Sequence, residues 1–321
     1  MVINGGSAKK RLIKIDEDEH YLNWLTIFIT KMKEGIPIIS IIIPCYNHGK
    51  FIQEAIDSLD KEKINYTFEI IIVDDGSTDE FTINKLGLLE KEGYHIIHQT
   101  NGGPAKARNT GIKIAKGKYI LPLDADNKIN PDYINKALPL LENEICDIVY
   151  AKPIFFGETG IKKRQYKVKP FEHLAIVTGN FADACAIYRK TIWDNNLGYD
   201  EAIPYFGFED WEFWINAASK GYRFHLINEQ LFYYRINANS TVSGYNEKQR
   251  IVDNHRYIAK KHSAYFLEQL VQLAYIRERY DIDIMRFPIT PFIYLLYWLK
   301  IIKRPSERAK EKLSFYSNLN K

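Results

Sequence analysis

The sequence predicts an α/β fold, a mostly parallel sheet flanked by helices, and three observations carry that reading. The runs at 38–44 and 68–73 are rich in isoleucine and valine, with the length and composition of strands buried on both faces. The first is followed by Phe51, Ile52, Ala55, Ile56 and Leu59 at helical spacing, and the second by a helix start. Strand, helix, strand, helix in alternation calls for crossover connections, which join parallel strands.

Composition bounds the rest. With 46% hydrophobic and 26% charged residues, the 321-residue chain is an ordinary folded protein. A formal charge of +4 is too mild to argue for nucleic acid. Cys45, Cys146 and Cys185 are scattered, so neither a disulfide framework nor a thiolate zinc site is indicated, and a reducing cytoplasm fits. No stretch reaches the roughly 18 apolar residues of a membrane span.

Residues 1–36 read as a helical extension, with Tyr21, Leu22, Leu25, Ile29 and Met32 on one face and Gly35 and Pro37 ending it. The main domain is expected over 37–245, with a nucleotide-binding half at 37–130 and an acceptor-binding half at 131–245. The second strand runs into Asp74 and Asp75, and Ser77 with Glu80 has capping-box spacing. Residues 95–98 are a short third strand. Gly102, Gly103 and Pro104 mark a tight turn into a helix whose small face comprises Ala107, Gly111, Ile114 and Ala115. A buried strand follows and ends on Asp124 and Asp126. Asn130 and Pro131 then begin a helix over 132–141. Downstream, 179–188 reads as a loop entering a strand, 206–221 as a helix with its lead-in, and 223–234 as extended. Helical periodicity returns over about 246–302, before a basic tail within the 246–321 region.

Ligands of open parallel sheets bind beyond the carboxyl ends of the strands. Three strand ends here are polar: Tyr46 with Asn47, Asp74 with Asp75, and Asp124 with Asp126. Side chains two apart in an extended segment point the same way, so Asp124 and Asp126 can converge on one hard cation, Mg²⁺ or Mn²⁺. The turn at 102–104 adds a helix N-terminus, and Arg108 a fixed positive charge suited to a pyrophosphate. An aromatic ring, polar edges and a metal with phosphates are the parts of a nucleotide-diphosphate site.

In this order the motifs resemble family 2 glycosyltransferases of the GT-A fold. They are Ser-Ile-Ile-Ile-Pro-Cys-Tyr-Asn from Ser40, Val-Asp-Asp-Gly-Ser from Val73, the glycine–arginine segment at 101–111, Leu-Asp-Ala-Asp from Leu123 and Phe-Glu-Asp-Trp from Phe208. The resemblance spans about 38–243. It implies an inverting, metal-dependent transfer from a nucleotide-sugar, a UDP-sugar above all, to a glycan or lipid-linked acceptor. Pro44 and Tyr46 would line the nucleoside pocket with Asn47, and Asp75 would accept from the base. Arg108 would lie by the nucleotide, Asp126 would be the main metal ligand, and Asp124 would reach the ribose or the metal. Asp210 would be the general base, with Glu209 beside it. Trp211, Asn180 and Asp183 are candidates for the acceptor pocket.

Relatives carry a histidine after the Tyr-Arg pair that here is Tyr234 and Arg235; Asn237 stands in its place, which bears on contact with the diphosphate. The Gln-x-x-Arg-Trp signature of processive synthases is absent, which favours single-sugar transfer. A nucleotidyltransferase would want a basic loop after the first strand, and 45–49 has none. A non-catalytic nucleotide- or glycan-binding module of the same fold is the other alternative. The apolar and basic stretch at 287–312 suits peripheral contact with the inner face of a membrane, or packing on the protein itself.

Overall fold

The computed structural model describes residues 35–157, 166–236 and 248–279. The expected N-terminal helix, Asn237 and the 287–312 stretch lie outside them. Eight strands form one sheet in the order β3-β2-β1-β4-β7-β6-β8-β5. The first half is a parallel block made of β1 (Ile39–Cys45), β2 (Phe68–Asp74), β3 (His95–His98) and β4 (Tyr119–Pro122). The β-branched runs occupy its centre, with Ile43 opposite Ile72 and Ile41 opposite Leu121.

Alternation along β1 sends Ile39, Ile41 and Ile43 to one core. Ile42 goes to the other face with Ala107 and Ile112. The first face carries α1 (Ile52–Asp57), α2 (Glu80–Lys91) and α4 (Asp132–Glu142); the second carries α3 (Gly103–Ile114). The small face of α3 is a packing requirement, because a Cβ on Gly111 would sit 2.6 Å from Ile42 Cγ2. Ile114 is the exception on that face and is exposed. The capping expectation also shifts by two residues: Asp79, not Ser77, accepts from the Thr82 amide at 2.8 Å and caps α2.

The second half reverses direction. β7 (Ile187–Arg189) is antiparallel to β4 and to β6 (Ile148–Gly157), while β8 (Phe224–Ile236) runs parallel to β6 and antiparallel to the two-residue β5 (Lys128–Ile129). Short helices α5 (His173–Ile176) and α6 (Lys190–Asn196) fill the connections, and α7 (Glu209–Ser219) lies in the second core through Trp211, Phe213, Trp214 and Ile215.

Two further helices follow: α8 (Lys248–Lys261) packs on α7 through His255 against Trp211, and α9 (Ser263–Arg279) packs on α5 through Tyr265 and His173. Ile258 and Tyr265 join the second core, and the fully buried Glu212 carboxylate pairs with Lys261 at 2.8 Å and His262 at 2.6 Å. No helix among the described residues is long and apolar enough to cross a membrane.

Candidate active site

The polar strand ends meet as the sequence order suggested. After β1 the chain turns through Asn47 in the left-handed region (φ 55°). Its side-chain oxygen accepts from the amides of Thr78 at 2.8 Å and Asp79 at 3.1 Å, which ties the loops after β1 and β2 together. Beside it Tyr46 stands 44% exposed, next to Pro44 at the end of β1.

Asp75 is buried. Its Oδ1 accepts from Gln99 Nε2 at 2.7 Å and the Gly102 amide at 2.9 Å, and its Oδ2 from the Gly103 amide at 2.8 Å. A carboxylate suits these amides, which begin α3 and have no partner inside the helix. Asp75 therefore fixes the glycine turn that the sequence placed near the donor.

Arg108 departs from expectation. Instead of standing free for a pyrophosphate it is 3% exposed. Its Nη2 donates to Asp124 Oδ1 at 2.8 Å and its Nη1 to Glu209 Oε1 at 2.7 Å. Arg108 thus reaches from α3 to both the β4 tip and the start of α7. Its Nε is buried with no hydrogen-bond partner. Glu209 is equally committed, because its Oε2 accepts from the Gly207 amide at 2.7 Å. Both oxygens are thus taken by donors of the protein itself.

Asp210, the next residue, differs. Its Oδ2 accepts from Asn180 Nδ2 at 2.8 Å and its Oδ1 from the Trp211 amide at 2.7 Å. Burial, then the carboxylates of Glu209 and Asp183, hold its carboxyl well above the usual range, with Arg108 opposing. Asp183 accepts from Tyr166 Oη at 2.8 Å and the Cys185 amide at 2.9 Å, and burial aided by Asp124 pushes it up to about 6. Burial, then the charges of Asp183, Asp124, Asp126 and Asp210, raises the half-buried Tyr234 hydroxyl, so these four carboxylates lie around one tyrosine.

Trp211 is a correction. It was a candidate for the acceptor pocket, but it is 1% exposed, its indole N–H donates to the Ile176 carbonyl at 2.6 Å, and its ring packs on His255. It is core. Arg235 lies beside Asp126: its Nε donates to the Asp126 carbonyl at 2.9 Å, its Nη2 pairs with Glu54 at 2.9 Å, and its guanidinium lies between the rings of Phe51 and Phe156.

Among the described residues no group of three or more His, Cys, Asp or Glu side chains is arranged to hold a metal by itself. Asp126 nonetheless fits a cation that draws its other ligands from a phosphate. Burial raises its carboxyl to about 6, His48 opposing and Asp124 adding, and a divalent charge would favour the ionised form.

Sequence reasoning missed two groups. Tyr166 carries no motif and meets Asp183 only through the fold. Asn109 was passed over, yet its side chain donates to Tyr199 O at 2.9 Å and Glu201 at 2.8 Å and accepts from Trp193 Nε1 and the Tyr199 amide. It anchors the loop leading to Glu209. The available signal was its place beside Arg108.

Comparison with known proteins agrees with this architecture. The model of the family described as Glycosyl transferase family 2 matches residues 40–195. An uncharacterized glycosyltransferase of Bacillus subtilis (strain 168), EpsJ, is 32% identical over 222 residues, 64% of this chain and 63% of that protein. The poly(ribitol-phosphate) beta-N-acetylglucosaminyltransferase TarS of Staphylococcus aureus (strain MW2) is 29% identical over 206 residues, 61% of this chain but 35% of TarS. A crystal structure of S. aureus TarS 1–349 in complex with UDP-GlcNAc superposes with a TM-score of 0.56 at 26% identity, covering 69% of this chain and 65% of that one. This chain thus spans under two thirds of EpsJ and about a third of TarS. The sheet and helices are those of the GT-A fold, and residues 40–195, just under half of the chain, match the model of glycosyl transferase family 2.

Proposed function

We propose that the protein transfers a sugar from a UDP-linked donor to a hydroxyl of a glycan or lipid-linked acceptor, by a single displacement that inverts the anomeric carbon. The observation that carries this reading is Asp210, a carboxylate of raised pKa held by Asn180 and grouped with Asp124, Asp126 and Asp183 around Tyr234. A general base works best when its pKa lies near the working pH, and burial moves Asp210 in that direction.

In this reading Asp210 takes the proton of the acceptor hydroxyl. The hydroxyl oxygen forms the new bond to the anomeric carbon, and the bond from that carbon to the diphosphate oxygen breaks, its electron pair leaving with the diphosphate. Asp126, with Asp124 near it, would hold Mn²⁺ or Mg²⁺, whose charge would offset that growing on the diphosphate. Tyr46 offers its exposed ring to the base, beside Pro44 and Asn47. Arg108 and Glu209 keep the α7 start in register with the β4 tip. Asn180 orients the base. The UDP-GlcNAc bound by TarS supports a UDP-sugar and makes it the first donor to try.

The test is calorimetry with UDP and UDP-GlcNAc in Mn²⁺, followed by turnover assays. Asp210→Asn should keep UDP affinity and lose about 100- to 10,000-fold in turnover, the usual worth of a general base. Undiminished turnover in that variant would remove Asp210 from the mechanism.

A further inference from the structure

One exposed aromatic residue stands just ahead of the helix that carries Asp210, and nothing above assigns it a role. Phe206 is 47% exposed, three residues ahead of Glu209. Its ring edge rests on Gly103, the first residue of α3: a Cβ there would lie 2.4 Å from Phe206 Cε1, and the φ of +84° already favours glycine. The same Gly103 donates its amide to Asp75, so Phe206 sits where the glycine turn and the base-bearing helix approach each other.

The backbone on both sides of this ring is pinned. On one side Asn254 of α8, fully buried, donates from Nδ2 to the Tyr205 carbonyl at 2.8 Å and accepts from the Tyr205 amide at 3.1 Å. On the other, the Gly207 amide donates to Glu209, which is itself locked to Arg108. Four residues of polar machinery thus hold one exposed phenyl ring in place. An apolar ring that had only to pack would be expected to turn inward, as Phe208, Trp211 and Phe213 of the same stretch do to a greater degree.

We propose that Phe206 is a stacking platform for the C–H face of a pyranose ring in the transfer cleft, held in place by Asn254 and Glu209. It takes the sugar-contact role that Trp211, buried in the core, does not fill. The inference rests on the sugar-transfer reading and deepens it. The ring it receives belongs to either the donor sugar or the acceptor, and the arms of the test separate these. An aromatic face is preorganised for such contact because it loses little side-chain entropy on binding.

The experiment compares wild type, Phe206→Ala and Phe206→Trp by calorimetry with UDP and UDP-GlcNAc, and by saturation-transfer NMR with methyl β-D-glucopyranoside and methyl β-D-galactopyranoside. A donor platform predicts that Phe206→Ala weakens UDP-GlcNAc about tenfold, leaves UDP unchanged and is restored in Phe206→Trp. An acceptor platform predicts unchanged UDP-GlcNAc affinity and loss of the pyranoside transfer signal, again restored by Trp. Equal affinity and equal signal in Phe206→Ala and wild type would overturn the proposal. So would equal weakening of UDP and UDP-GlcNAc, which would make the ring a prop for Gly103. Wild type that binds neither nucleotide would instead count against the donor reading, and the pyranoside arm would still decide the role of Phe206.

Discussion

Arg108 and Glu209 meet at 2.7 Å across 101 residues of chain, and the same guanidinium reaches Asp124 at 2.8 Å. One buried cation therefore joins the donor-side strand tip to the start of the helix that carries Asp210. Its cost of burial is offset only while both carboxylates are present. Arg108→Ala would leave Glu209 buried and Asp124 part-buried without a counter-charge. Breaking such a pair should destabilise by about 3 to 5 kcal/mol, read as a lowered urea midpoint. Arg108→Lys, with one ammonium in place of a planar fork, should recover only part of that loss.

Asp183 gives the pH dependence. Its carboxyl stands at about 6 in the folded protein against an ordinary value of 3.8. The folded state therefore holds this proton more tightly, and the stability it contributes is full below 3.8 and lost as pH rises through about 6. Asp183→Asn never ionises, so it should be the more stable form at pH 8, by about 1 to 3 kcal/mol, with the gap closing by pH 4. Thermal melts of both proteins across that range check it. An unchanged gap would show that Asp183 is not strained in its charged form.

The clamp on the loop ahead of α7 is equally accessible. Asn254→Ala removes both bonds to Tyr205 and leaves its part-buried amide and carbonyl without these partners, a cost of about 1 to 3 kcal/mol. Denaturant unfolding measures that cost. Asn254 lies in α8, beyond the family-model match at 40–195, so a large effect would show that this helix is needed to hold the loop ahead of α7.

Much of this arrangement was legible in the chain. β1, β2 and β4 declared themselves because each has a run of apolar residues buried on both faces. Asp124 and Asp126 were legible because a polar pair closes an apolar run. The second half was less so: β5 has two residues and β7 three, too short for any period to show. The partners of Arg108 were hidden because they come together only through the sheet order. Trp211 misled for a specific reason. Nearly every residue from Glu209 to Ala218 is buried, so the helix has no polar stripe to reveal which aromatic faces a cleft.

Asp126 carries the metal prediction. UDP affinity measured with and without Mn²⁺ should differ by at least about tenfold in wild type, the scale of a metal-mediated contact, and by little in Asp126→Ala. A variant that keeps the full Mn²⁺ response would place the cation elsewhere.

The central claim is inverting sugar transfer with Asp210 as base, and one measurement tests it most directly. UDP-GlcNAc, whose sugar is α-linked, is incubated with the protein and Mn²⁺, and the anomeric proton of the first sugar product is followed by NMR. The predicted result is the β anomer at early times with wild type and almost none with Asp210→Asn. An α product, or the same rate of β product from Asp210→Asn, would contradict it.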